Sequence, residues 1–196
     1  AIQANLTWGN PAKNRLYFEQ VINKLTSDTD LVVLPEMFST GFTMNPSSVS
    51  ETINGATVSW MINMAKTRDM AIIGSIVIQD NNQYFNRAVF VHPSGHFEFY
   101  DKRHLFSLAG EDRQYTPGTK RIVINFKGWR ICPFICYDLR FPVWSRNTDN
   151  YDVLLFSPVL EPECGHKNHL PYPVDCRRDQ TPLKAKELSR DSRVAL

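Results

Sequence analysis

The sequence lacks several features that would assign it to a class quickly. It has no charge of one sign to spare: 22 Lys and Arg face 20 Asp and Glu in 196 residues, a formal net charge of +2. That balance argues against a nucleic-acid-binding footprint and against a polybasic membrane surface. No apolar run approaches the roughly 20 residues of a membrane-spanning helix, and the first residues show no basic-then-apolar leader pattern. Cysteine is scarce, with four residues unevenly placed, which is not the disulfide framework of a small secreted chain. The expectation is a soluble, cytoplasmic protein with reduced thiols and no nucleic-acid or membrane partner. Internal repeats and low-complexity tracts are missing too. A chain of this length with 42% hydrophobic residues can bury a substantial core.

Glycine runs out towards the end of the chain while proline accumulates. Of 12 prolines, five (Pro158, Pro162, Pro171, Pro173 and Pro182) fall in the last 40 residues, against one of nine glycines, Gly165. The chain therefore divides into a body, 1–156, and an irregular tail, 157–196, whose prolines interrupt most regular elements.

The body alternates helix and strand signals. Ala1–Leu6 reads as a strand already under way, so that a few leading residues are expected to be missing. Asn10-Pro11 supplies a cap and a first-turn proline, and Phe18, Val21, Ile22 and Leu25 recur at helical spacing, predicting a helix over 12–25. Asp30–Leu34 is a short apolar run suited to a strand covered on both faces. A second helix fits 56–68. Strands are predicted over 71–78, 84–91, 96–100, 121–126, 129–135 and 151–156, with a short helix from Pro142 to Asn147. Cys132, Trp129, Phe134 and Phe141 read as core.

Three reactive side chains stand just past predicted strand ends: Glu36, Lys102 and Cys136. Loops at the carboxyl ends of strands are where layered α/β folds assemble sites. A thiol, a carboxylate able to take its proton and an ammonium able to hold an oxyanion are together the parts of thiol-based acyl transfer. Taken singly, each has a plainer reading: Cys136 as a strand-end thiol, Glu36 as a solvated carboxylate or cap, Lys102 as part of a surface charge cluster. His104 invites a role as a Cys partner, but a structural or solvated histidine is the simpler reading because a glutamate already supplies the base.

The surrounding strings decide between these readings. Leu34-Pro35-Glu36-Met37-Phe38, Tyr100-Asp101-Lys102-Arg103-His104-Leu105-Phe106 and Ile135-Cys136-Tyr137-Asp138-Leu139-Arg140-Phe141-Pro142 resemble, in order, the three catalytic blocks of the carbon–nitrogen hydrolase (nitrilase) superfamily. The extensions to Phe42 and to Asn147 are most similar to the bacterial omega-amidase branch. The resemblance covers residues 1 to about 156. It implies an α/β fold, an α-β-β-α sandwich, here incomplete at its C-terminus and usually dimerised, with no metal or organic cofactor. It further implies Cys136 as nucleophile, Glu36 as general base, Lys102 as oxyanion stabiliser, the N–H of Tyr137 as a second oxyanion donor, and Glu111 as a glutamate that positions the lysine. The implied partner is a small amide substrate such as 2-oxoglutaramate, hydrolysed to acid and ammonia. Its carboxylate needs a cationic contact, for which Arg140, Arg113 and Arg146 are candidates by location.

The tail departs from that pattern. A family helix carrying an Arg-Ala-x-Glu-Asn-like string is not legible after Phe156, whereas Asp191-Ser192-Arg193-Val194 resembles a later strand-start string. An altered or out-of-frame reading of this stretch, with an early stop, is the expectation, and with it a catalytically impaired fragment as the alternative function. Cys164, His166, His169 and Cys176 offer a further alternative, a zinc-binding tail module. Their spacing lacks the paired Cys-x2-Cys of common zinc modules, so no metal is assigned.

Overall fold

In this computed structural model, residue 2 and residues 4–157 are described. The expectations for the tail, including Cys164, His166, His169 and Cys176, lie outside the described residues.

Helix α1 spans Pro11–Ile22. Asn10 caps it by accepting from the Lys13 N–H at 3.0 Å, and Asn14, Phe18 and Ile22 form its buried face at i, i+4, i+8. It stops before the expected Leu25 because the last bonds tighten to three-residue spacing, Lys24 N to Val21 O and Leu25 N to Ile22 O. Leu25 still packs against the core. Helix α2, Ala56–Arg68, buries Val58, Met61, Met64 and Ala65 and ends on Asp69 in the left-handed region.

The first sheet has the order β1 (Leu31–Val33), β2 (Ala71–Asp80), β3 (Gln83–Val91), β4 (Phe97–Asp101). β1 is parallel to β2, and the other pairs are antiparallel. The β2–β3 hairpin turns on Asn81 and Asn82, with φ of 49° and 62°, a two-residue turn whose twist suits asparagine. The second sheet sets β5 (Ile124–Phe126) antiparallel to β6 (Trp129–Ile135) and β6 parallel to β7 (Val153–Ser157). Its hairpin turns on Lys127 and Gly128, both at positive φ.

Alternation along the strands builds the layers. Ile72, Ile76, Ile78, Val89 and Val91 pack with Phe18, Ile22, Val58 and Met61 of the helices. Ala71, Ile73 and Phe90 turn the other way, onto Ile124, Phe126 and Ile131 of the second sheet. The described residues thus form the α-β-β part of the expected sandwich.

Three expectations change. Of the strand expected over Ala1–Leu6, residues 4–6 form none; just beyond them the Asn14 side chain bonds both the N–H and the carbonyl of Thr7, at 2.8 Å each, and the chain turns. No helix forms over 142–147; the turn lies earlier, as a 3-10 segment over Cys136–Arg140. Among the aromatic residues read as core, Phe134 is buried but Trp129 is 43% exposed and Phe141 is only partly covered. Trp129 opens a strand beside a surface hairpin, where none of the described residues forms a layer over it.

Candidate active site

Strand direction brings the candidate residues to one edge. β1 and β2 are parallel, β3 reverses and β4 reverses again, so the carboxyl ends of β1 and β4 point the same way. Glu36 follows β1 and Lys102 follows β4. The second sheet is stitched to that edge: the Ser157 hydroxyl at the end of β7 donates to the Leu34 carbonyl at 3.0 Å, and Ile135, the last residue of β6, is in register with Ser157. Cys136 comes next.

The turn after β1 is tight. Met37 has φ +46°; its N–H donates to the Ser75 hydroxyl at 2.8 Å, and Phe38 N–H donates to the Ser75 carbonyl at 3.1 Å. This holds Glu36 inward, at 2% exposure. Lys102 is 1% exposed, and its backbone N–H donates to the Asn86 carbonyl at 2.9 Å. The plainer readings of a solvated carboxylate and a surface lysine therefore do not hold.

Lys102 Nζ lies 2.7 Å from Glu36 Oε1 and 3.1 and 2.8 Å from Glu111 Oε1 and Oε2. Glu111 is fully buried and also accepts from the Phe106 N–H at 2.6 Å. Asn86 Nδ2 donates to Glu36 Oε1 at 2.7 Å and to Glu111 Oε1 at 3.1 Å. Glu36 Oε2 is buried without a hydrogen-bond partner among the described residues. Burial pushes the Glu36 carboxyl above its ordinary value, and the Glu111 charge adds to the rise, against the pull of Lys102 and Asn86. For Lys102, burial disfavours the ammonium, but the two carboxylates outweigh it and hold the proton on. Nearby Tyr115 stays protonated through burial and the same negative charges.

Cys136 opens the 3-10 turn with φ +40°, a left-handed conformation that costs a residue with a Cβ about 1–2 kcal/mol. Such strain at a strand–turn junction needs something to hold it, and Asp138 supplies that. Fully buried, it accepts from the Ile135 N–H at 3.2 Å, the Tyr100 hydroxyl at 2.8 Å and the His104 N–H at 2.9 Å, with His104 Nδ1 also 2.8 Å away. The Phe106 and Tyr137 rings meet at 4.9 Å, and His104 stacks on Phe141 at 3.7 Å. The cysteine turn is thereby clamped to the residues flanking Lys102. His104 is part of that clamp, in keeping with its structural reading. Cys132 lies in the core, its thiol pushed up to about 12 by burial.

The candidate arginines stand apart from the buried cluster. Arg113, Arg140 and Arg146 are all exposed. Arg140 lines a hollow of about 300 Å³ with Arg103, His104 and Trp144, and the Arg146 carbonyl accepts from Arg121.

A family model described as carbon-nitrogen hydrolase matches residues 1–184. The chain belongs to the carbon–nitrogen hydrolase family. Among curated relatives of this hydrolase-family chain, the omega-amidase YafV of Escherichia coli K12 is 41% identical over 155 residues, covering 79% of this chain and 60% of that protein. The 2-oxoglutaramate amidase of Bacillus subtilis 168 is 29% identical over 161 residues, 80% of this chain and 62% of that one. The crystal structure of XC1258 from Xanthomonas campestris, a superfamily member with an arsenic adduct in its active site, superposes with a TM-score of 0.78 at 38% identity, covering 80% of this chain and 62% of its own. The fold is thus the nitrilase-type sandwich. The chain spans about 60% of the length of the curated relatives it matches.

Sequence reasoning missed two members of the buried network, Asn86 and Asp138. Asn86 had a signal: it is the polar position on a strand face continued by Ala88 and Phe90. Asp138 lay within the cysteine block but drew no separate attention.

Proposed function

We propose that this chain carries the catalytic body of an amidase that hydrolyses the terminal amide of a small 2-oxo dicarboxylic acid monoamide, 2-oxoglutaramate in type. The observation that carries the reading is the buried Glu36–Lys102 pair, whose Glu36 Oε2 has no partner among the described residues, at the edge where the Cys136 turn is clamped. The names of the Escherichia and Bacillus relatives support the substrate class.

In this reading Glu36 takes the Cys136 proton as the sulfur attacks the amide carbon. The resulting oxyanion is held by the Lys102 ammonium and the Tyr137 N–H. The tetrahedral adduct collapses, the C–N bond breaks, and Glu36 returns its proton to the nitrogen, releasing ammonia and leaving a thioester. Water then attacks the thioester, giving a proton to Glu36. Collapse of the second adduct releases the acid, and the proton goes back to the sulfur. The sum is amide plus water to acid plus ammonia.

Glu111 keeps Lys102 charged and placed. Arg140, beside Arg103, is the favoured contact for the substrate carboxylate, ahead of Arg113 and Arg146. The same reading takes the working protein to be a cytoplasmic homodimer without metal or organic cofactor. No helix among the described residues is long and apolar enough to cross a membrane.

Hydroxylamine partitioning tests the thioester. With 2-oxoglutaramate, the protein is expected to divert product to the hydroxamate, and Cys136→Ala to form none. Hydroxamate formed equally by Cys136→Ala removes the covalent mechanism.

A further inference from the structure

Asn86 sits in β3, 1% exposed, on the face that carries Ala88 and Phe90 into the space between the sheets. A buried amide there must place its two N–H donors. Nδ2 lies 2.7 Å from Glu36 Oε1 and 3.1 Å from Glu111 Oε1. Ionised carboxylate oxygens only accept, so the amide is oriented by its neighbours, with Nδ2 and not Oδ1 between them.

The distribution of donors is uneven. Each of the two Oε1 atoms receives both Lys102 Nζ and Asn86 Nδ2. Glu111 Oε2 receives Lys102 Nζ and the Phe106 N–H. Of the carboxylate oxygens in this pair, only Glu36 Oε2 has no donor among the described residues. We propose that Asn86 is a positioning residue: together with Lys102 it pins Glu36 by Oε1 and so reserves Oε2 as the oxygen that carries the proton. The inference rests on the reading of Glu36 as the general base.

The choice of an amide has an electrostatic reason. Lys102, Glu36 and Glu111 sum to one negative charge when all are ionised. A second cation in place of Asn86 would cancel that charge and hold Glu36 ionised, leaving it a poor proton acceptor. A third carboxylate would drive Glu36 to stay protonated. An amide orders the oxygens and adds no charge. The titratable and charged groups that act on Glu36 are Lys102 from the end of β4 and Glu111 from the 111–113 turn, with Tyr115 beyond them.

The test uses the full chain with carbon-13-labelled glutamate and nitrogen-15-labelled asparagine. Glu36→Gln assigns the Glu36 carboxyl signal, and Asn86→Asp assigns the side-chain amide. In the unsubstituted protein the Asn86 amide protons should move with the same midpoint as the Glu36 carboxyl carbon. Asn86→Ala should raise that midpoint by about one pH unit, since it removes one hydrogen bond to a charged group. Asn86→Ser, which keeps one donor, should lie between. Where the chain turns over 2-oxoglutaramate, Asn86→Ala should lower kcat about 10- to 100-fold with KM little changed. Asn86 amide protons that ignore the Glu36 titration overturn the inference, as does a folded Asn86→Ala with an unmoved midpoint. The co-titration needs no variant of Asn86 to fold once the signals are assigned, and Glu36→Ala serves for assignment if Asn86→Asp does not fold. Absence of hydrolysis in every form, with the co-titration intact, overturns the amidase reading and leaves the Asn86–Glu36 coupling standing.

Discussion

Lys102 Nζ and Glu36 Oε1 meet at 2.7 Å with neither side chain accessible to solvent, and Glu111 makes the same lysine answer to two carboxylates. Buried pairs of this kind are weak evidence for stability but costly to break from one side. Lys102→Met leaves two buried carboxylates facing each other, and the expected loss is about 3–5 kcal/mol in urea unfolding at neutral pH. In that variant Glu36, raised by burial and no longer pulled down by Lys102, holds its proton more strongly folded than unfolded. Stability is therefore highest at low pH and falls as pH rises through the ordinary carboxyl range and beyond. A variant equally stable at pH 5 and pH 8 contradicts the buried-triad geometry.

The raised Glu36 carboxyl sets a pH dependence. Under the proposed role of Glu36 as general base, which must be ionised to act, activity is expected to rise with pH through the Glu36 value, with the acid limb above the ordinary value of 4.5. The cause is burial first and the Glu111 charge next. Glu111→Gln removes that charge and should move the limb downwards. A kcat/KM profile whose acid limb stays fixed in Glu111→Gln speaks against the coupling.

Backbone strain at Cys136 gives a prediction independent of catalysis. Its φ of +40° suits glycine and penalises any residue with a Cβ. Cys136→Gly is expected to be about 1 kcal/mol more stable than Cys136→Ala. Chemical denaturation of the two variants decides it, and a less stable glycine form shows that the turn is not held under strain.

Asp138 joins the cysteine turn to Tyr100 and His104 through its two oxygens. Asp138→Ala removes the shared acceptor of several buried donors, and the expected cost is about 2–4 kcal/mol. Asp138→Asn keeps the shape but turns one oxygen into a donor, so a smaller loss is expected. Thermal unfolding measures both; an Asp138→Ala variant as stable as the parent means that the clamp contributes little.

Local pattern exposed much of this molecule in advance. The apolar run at Leu31–Val33, the paired turn residues Asn81-Asn82 and Lys127-Gly128, and the helical spacing of Phe18 and Ile22 are each set by neighbours in the chain. The three blocks around Glu36, Lys102 and Cys136 pointed to a shared site, and strand direction places them at one edge. What pattern could not convey was tertiary satisfaction. Asn86 looks like an ordinary strand asparagine until two glutamates from distant loops arrive beside it. Asp138 matters because donors from β4 and the loop after it converge on it. Trp129 read as core because it is large and apolar, yet its strand begins where no second layer among the described residues covers it. The helix expected from Pro142 was lost to a tighter turn one block earlier, where Asp138 bonds back to the Ile135 N–H.

The central claim is that the edge holding Glu36, Lys102 and Cys136 hydrolyses a small 2-oxo acid amide through the cysteine. The most direct measurement is ammonia release from 2-oxoglutaramate by the full chain, run beside Cys136→Ala under the same conditions. The account predicts release by the parent chain and none above background by Cys136→Ala. Indistinguishable rates for the two proteins would contradict it.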